Sequence, residues 1–391
     1  MMYLRSMELL RIFEENYEKF RVLGFDSKYL PYLKLRSYLD QKNYPKNLIG
    51  KSFLGNEIYS LSIGKGPIKV LAWSQMHGNE ATGTRAMLDV WEFLLSDLEW
   101  SKKILDKISF HFVPMLNPDG STQYTRRNVC GIDLNRDFLQ EASPEIRVLK
   151  NVVTEVNPQF LFNLHDQRSI FNVGTTKEPA TLAFLAPSFE ESRALNDQRI
   201  ASMAVIDHMA NGLNQVIPNK IARFSDEFYP TSTGDNFMKM GYSTILFEAG
   251  HFPMDYNRDQ VRKFNALAIL LALDRISESS PYEIGEYLSI PENNKKYLDV
   301  ILRNVKVQSN EFESVLDIGI YFEEKLNTKT QEIEFLGRIE EIGDLSAYFG
   351  HIDIDKKGKN YIGKSSIFPI IGEFADFSVG AYHFEKGKLL N

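Results

Sequence analysis

His77 and Glu80 lie three residues apart in the stretch Gln75-Met76-His77-Gly78-Asn79-Glu80, and side chains of these two types can offer two donors to one metal ion. Hydrolytic zinc takes three protein ligands from histidine, aspartate and glutamate and keeps a fourth position for water. His165, far along the chain at the end of the expected strand at residues 159–164, supplies a third donor. A bare H-x-x-E pair arises often by chance and is more often polar surface than a metal site. Position sets this pair apart: all three residues sit at or just past the ends of expected strands, where open α/β sheets place their ligands.

Glu248 ends another such strand, in Leu246-Phe247-Glu248-Ala249-Gly250. A carboxylate after an apolar run is either a costly buried charge or a group facing a cleft. The second reading makes Glu248 a base that takes a proton from metal-bound water and later passes it to a leaving amine. Two loops lie between these residues. Asn117-Pro118-Asp119-Gly120 is a turn on chemical grounds, and residues 126–138 carry Arg126, Arg127 and Arg136. Clustered arginines can clamp a carboxylate bidentately, although isolated ones would read as a solvated loop.

Positioning these groups requires strands and helices in alternation. Residues 69–74 form a short apolar run of the buried-strand kind. Met87, Val90, Trp91, Leu94, Leu95 and Leu98 then follow helical spacing. Residues 108–116, 159–164, 182–186 and 243–247 read as further strands. Helices are expected at 145–156, opened by Ser143-Pro144, at 190–217 and at 258–277. Residues 51–64 alternate and break at Gly64-Lys65-Gly66-Pro67, which predicts a hairpin into the next strand. Leu4, Met7, Leu10, Ile12, Phe13 and Tyr17 predict an amphipathic N-terminal helix. The expected fold class is α/β, a mixed and mostly parallel central sheet flanked by helices.

Three regions are expected: a helical extension over residues 1–44, a catalytic domain over 45–278, and a β-rich domain over 280–391 of unassigned role. Residues 294–304 read as one more helix there, and strand-like runs are expected at 315–322, 333–339 and 361–371.

Bulk properties narrow the function classes. The chain has 391 residues, 25% of them charged, and a net charge of −7, which argues against nucleic-acid or anionic-membrane partners. No apolar run reaches the roughly 18 residues that span a bilayer. The single cysteine, Cys130, cannot form an internal disulfide, and with no signal peptide recognised the expected location is cytoplasmic. The pattern specifies no oligomeric state.

His77-Gly78-Asn79-Glu80, the 117–120 turn, Arg126-Arg127-Asn128, residues 131–138, Leu164-His165 and Phe247-Glu248 together resemble, in order, the signature of the M14 zinc carboxypeptidases. The resemblance spans about residues 45–278. It implies one zinc per chain bound by His77, Glu80 and His165, with Glu248 as general base. It also implies that Arg126 stabilises the tetrahedral oxyanion, with Arg127 an alternative register. Asn135 and Arg136 would hold a peptide substrate's free C-terminal carboxylate, which makes the expected enzyme an exopeptidase. Tyr229 is the candidate for the family's substrate-covering tyrosine, with Tyr242 as alternative, and the base of the side-chain pocket is expected near Gly234 and Asp235.

Other residues read more plainly. His251 is either a support to the site or a loop histidine, His111 is structural, Asp166 should point to the opposite face from His165, and Cys130 is incidental. Two rival functions remain beside the metallocarboxypeptidase: an aspartoacylase-like zinc deacylase of N-acyl amino acids, and a non-catalytic peptide-binding module that uses the β-rich region.

Overall fold

The computed structural model describes residues 2–42 and 44–390, with side chains from Arg5 onward, so the expected contribution of Leu4 lies outside the described side chains. The chain divides into two units, Met1–Gln167 with Ala180–Asn293, and Arg168–Pro179 with Asn294–Asn391.

In the first unit, α1 (Met2–Phe20) and α2 (Tyr32–Lys42) precede β1 (Lys46–Lys51), β2 (Glu57–Ile63) and β3 (Ile68–Trp73). There follow α3 (Thr82–Leu94), α4 (Glu99–Lys107), β4 (Ile108–Val113), α5 (Pro118–Gln123), α6 (Pro144–Val156) and β5 (Phe160–Asp166). After β6 (Phe171–Val173), which belongs to the second unit, come β7 (Leu182–Leu185), α7 (Asp197–Leu213), β8 (Ile221–Arg223), α8 (Thr233–Lys239), β9 (Ser243–Ala249) and α9 (Asp259–Ile276).

Eight strands form one sheet in the order β1-β2-β4-β3-β5-β9-β7-β8. The run β4-β3-β5-β9 is parallel, while β1, β2 and the β9–β7 pair are antiparallel. The expected hairpin into β3 does not form, because β4 lies between β2 and β3. Both sheet faces are buried, as a parallel centre demands. Val70 and Ala72 of β3 join a core with α1, α3, α7 and α9, whereas Leu71 and Trp73 pack with Ile146, Leu149 and Val153 of α6.

This order creates a switch point. From β3 the chain first adds β4 on one side and then β5 on the other, so the crevice at the carboxyl ends of β3 and β5 is the natural ligand position. Two helices differ from expectation. The expected 190–217 helix starts at Asp197, where the Asn196 side chain accepts the Arg199 N–H, and it ends at Leu213. The stripe running to Leu98 stops at Leu94, and α4 is a separate helix.

The second unit is β-rich, as expected. After β10 (Asn293–Lys295), β11 (Tyr297–Gln308), β12 (Glu313–Asn327), β13 (Glu332–Gly343) and β14 (Phe349–Asp355) form a sheet in the order β13-β12-β11-β14. Residues 294–304 are therefore strand rather than the expected helix. Leu298, Val300, Ile301 and Leu302 are buried in a central strand paired on both sides. A smaller sheet contains β15 (Tyr361–Gly363), β16 (Phe377–Val379), β17 (Tyr382–Glu385) and β18 (Lys388–Leu389).

Candidate metal centre

The loop after β3 is shaped by close packing on the 117–120 turn. A Cβ on Gly78 would meet the Gly120 carbonyl carbon at 2.1 Å, so only glycine lets the two backbones approach this closely. The Asn117 side chain accepts the Gly120 N–H at 2.9 Å and donates to the Met76 carbonyl at 3.2 Å. Gln75 sits at φ +45°, and its side chain holds the Gly78 carbonyl at 3.0 Å. The turn thus fixes the path between His77 and Glu80.

Three buried donors converge at the switch point. His77 Nδ1 lies 3.0 Å from Glu80 Oε1, His165 Nδ1 lies 2.8 Å from Glu80 Oε2, and the two Nδ1 atoms are 3.0 Å apart. Ligands on a tetrahedral zinc at about 2.0–2.1 Å are separated from one another by about 3.3 Å, so small outward movements would seat the ion. Among the described residues this is the one cluster of three or more His, Cys, Asp or Glu side chains close enough to share a metal. Its donor set of two borderline imidazole nitrogens and one hard carboxylate suits zinc.

Asp133, given no role from the sequence, completes the arrangement. Its Oδ1 lies 3.0 Å from His77 Nε2. With the Nε2 proton directed to this carboxylate, the Nδ1 lone pair turns toward the cluster, the usual carboxylate–histidine–metal relation. The only sequence signal was its place two residues before Asn135. The Asp166 backbone N–H donates to Glu80 Oε2 at 3.2 Å, and its carboxylate accepts Thr82 Oγ1 at 2.7 Å. Asp166 therefore supports the donor cluster from behind and is not part of it.

Glu248 is held beside the cluster by strand register. β5 and β9 are parallel, with His165 opposite Glu248, and Glu248 Oε2 is buried without a protein partner. Burial, then the charges of Glu80 and Asp166, push the Glu248 carboxyl well above its usual range. A cation held by the three donors works against that push, because it favours a nearby carboxylate's charged form. Glu80 is held well below the usual range: burial would raise it, but His77 and His165 outweigh burial.

The arginines divide. Arg126 donates through Nη1 to Glu80 Oε1 and through Nε to Asp133 Oδ2, both at 3.1 Å, so it stands at the cluster. Arg127 instead donates to the Gly131 carbonyl of its own loop at 2.9 Å. Asn135 Oδ1 accepts the Thr233 N–H at 3.1 Å, which ties the 134–136 turn to α8. The exposed Arg136 guanidinium stacks 4.2 Å over the Tyr229 ring, itself half exposed. Tyr242 packs edge-on against Phe237 in the core. Asp235 is buried and accepts the Tyr229 N–H at 3.1 Å, so its carboxylate ties the loop that carries Tyr229. His251 is buried against Tyr256 outside the three-donor cluster. His111 lies in β4 beside Ser109, and Cys130 is exposed.

Residues 36–168 match the family model for zinc carboxypeptidases, a stretch that includes His77, Glu80, Arg126, Asn135, Arg136 and His165 and ends before Tyr229 and Glu248. Carboxypeptidase 2 of Trichophyton rubrum is 31% identical over 100 residues, 25% of this chain and 19% of the relative. Cytosolic carboxypeptidase 2 of Danio rerio is 33% identical over 116 residues, 26% of this chain and 16% of the relative. The chain spans between about a fifth and a third of the length of the first curated relatives it matches. Among solved structures, carboxypeptidase A from Helicoverpa armigera aligns with a TM-score of 0.54 at 16% identity, covering 70% of this chain and 81% of that one. A metallo-carboxypeptidase from Burkholderia cenocepacia aligns with a TM-score of 0.50 at 17% identity, covering 64% and 70%. At such identities the likeness is one of fold. The family resemblance and the fold class expected from the sequence both hold.

Proposed function

We propose, for a chain whose residues 36–168 match the zinc carboxypeptidase family, that it is a zinc-dependent exopeptidase removing the C-terminal residue of peptides. The observation that carries this reading is the buried His77–Glu80–His165 donor cluster with Glu248 set opposite His165 on the adjacent strand. Zinc, when bound there, supplies Lewis acidity and brings the pKa of a bound water toward neutrality.

The chain's own residues do the rest. Glu248 Oε2, which no protein group engages, accepts the water's proton and returns it to the departing amine. Arg126 commits Nε and Nη1 to Asp133 and Glu80, which leaves Nη2 for the developing oxyanion. Because that guanidinium is already braced, it stabilises charge without reorganising, and one such donor is worth about 3 kcal/mol of barrier. Asn135 and Arg136 bind the substrate's terminal carboxylate, and the Tyr229 ring against Arg136 covers it. This anchor restricts cleavage to the last residue. Among the described residues no helix is long and apolar enough to cross a membrane, and the lone exposed Cys130 suits a reducing compartment such as the cytoplasm.

Three substrates test the reading: a peptide with a free C-terminal carboxylate, the same peptide amidated, and an N-acyl amino acid. The zinc-loaded protein should release the terminal residue from the first and leave the amidated form intact. Turnover of the acyl amino acid with none of the peptide would establish the deacylase instead. Binding of the peptide without any turnover would establish a binding module.

A further inference from the structure

We propose that Arg258 is a positioning residue that ties together the ends of β5 and β9 and so sets His165, Glu80 and Glu248 relative to one another. This inference rests on the hydrolase reading above. Arg258 lies ten residues beyond Glu248, at the start of α9, and only 4% of it is exposed.

Its guanidinium makes three contacts, all next to the site. Nη2 donates to the Gln167 carbonyl at 2.5 Å, Nη1 donates to the Ala249 carbonyl, and Nη1 lies 3.7 Å from Asp166 Oδ2. Ala249 directly follows Glu248, and Asp166 and Gln167 directly follow His165. In the parallel register His165 faces Glu248 and Asp166 faces Ala249, so the planar fork bridges the two strands one step past the reacting pair. Asp166 extends the link, since its N–H holds Glu80 Oε2.

Local structure does not account for the side chain. The carboxylate of Asp255 already accepts the N–H groups of Asp259, Gln260 and Val261, so α9 is capped without the Arg258 guanidinium. Arg258 also sits at φ +59°, a left-handed conformation that is unfavourable for a non-glycine residue and persists only where surroundings demand it. Burying a guanidinium is itself costly unless its hydrogen bonds are met. What the fork provides is a fixed separation between two carbonyls, which a lysine, with a single compact ammonium, cannot reproduce.

The test measures Co2+ affinity of the chelator-treated full chain and steady-state cleavage of the free-acid peptide in wild type, Arg258→Ala and Arg258→Lys. Arg258→Ala should bind Co2+ roughly 10-fold more weakly, as for other supports of metal ligands. Its kcat should fall on the order of 100-fold with KM nearly unchanged. Millimolar guanidinium should restore part of that kcat, and Arg258→Lys should recover only part of either quantity. Wild-type Co2+ affinity and kcat in a folded Arg258→Ala would overturn the proposal, as would a loss carried wholly by KM. Where Arg258→Ala does not fold, Arg258→Lys decides, and wild-type behaviour there overturns it. Wild type that binds Co2+ yet cleaves nothing defeats the hydrolase reading, while the Co2+ arm still decides the role of Arg258.

Discussion

Two buried charge clusters in the first unit are built on opposite plans. Asp89 of α3 is 2% exposed and Arg262 of α9 is fully buried. Asp89 Oδ1 accepts the Val22 N–H and Arg262 Nη2, and Oδ2 accepts the Tyr17 hydroxyl and Arg262 Nε. Arg262 also donates to the Phe25 and Val22 carbonyls. Every strong donor there meets an acceptor, and the result pins α1, α3 and α9 to one another. Around His77 and Glu80, by contrast, two imidazole nitrogens and a carboxylate crowd within about 3 Å while Glu248 Oε2 has no protein partner. A saturated cluster holds the fold, whereas one that is over-supplied with metal donors and short of protein partners is prepared for something else.

Substitutions should separate the two plans. Glu248→Gln should lower kcat on the free-acid peptide by roughly 10³-fold, about 4 kcal/mol of barrier, with the melting temperature and zinc content of wild type. Asp89→Ala should do the reverse. It strands the Arg262 charge and should cost about 3 kcal/mol in denaturant unfolding, while the folded fraction still binds zinc. Asp133→Asn should weaken zinc binding by about 10-fold with little change in stability, which would place Asp133 with the open cluster.

The β-rich unit offers a smaller contrast. His351 stacks 4.3 Å on Tyr297, its Nε2 lies 2.8 Å from the Ser169 carbonyl, and burial lowers its pKa from 6.5 to about 4. The folded state thus resists a proton that the unfolded chain accepts. The associated stability is complete above the unfolded pKa near 6.5 and is lost as pH falls toward about 4. The ring is only partly buried, so the loss should be about 1 kcal/mol. Unfolding of His351→Gln should lack that pH slope.

The candidate groups were legible because they sit at strand ends. A short apolar run stopping at His165 or Glu248 announces both an element and the group it delivers. Supports were harder to read. Asp133 is one polar residue in a polar loop, and its value depends on His77, 56 residues away in sequence. Arg258 acts through backbone carbonyls of two strands, which leave no side-chain pattern to find. β11 is a strand where the pattern predicts a helix because an apolar run buried on both sides shows no alternation, although Val300 and Ile301, branched at Cβ, favour a strand. Strand order was equally hidden: nothing in residues 51–64 indicates that β4 comes between β2 and β3.

Zinc titration of chelator-treated wild type, His77→Ala and Asp89→Ala tests most directly whether the open cluster is a metal site and the closed one is not. One zinc should bind per wild-type chain, none should bind tightly to His77→Ala, and folded Asp89→Ala should bind as wild type does. Wild type without stoichiometric zinc, or a His77→Ala chain that binds it unchanged, would contradict the account.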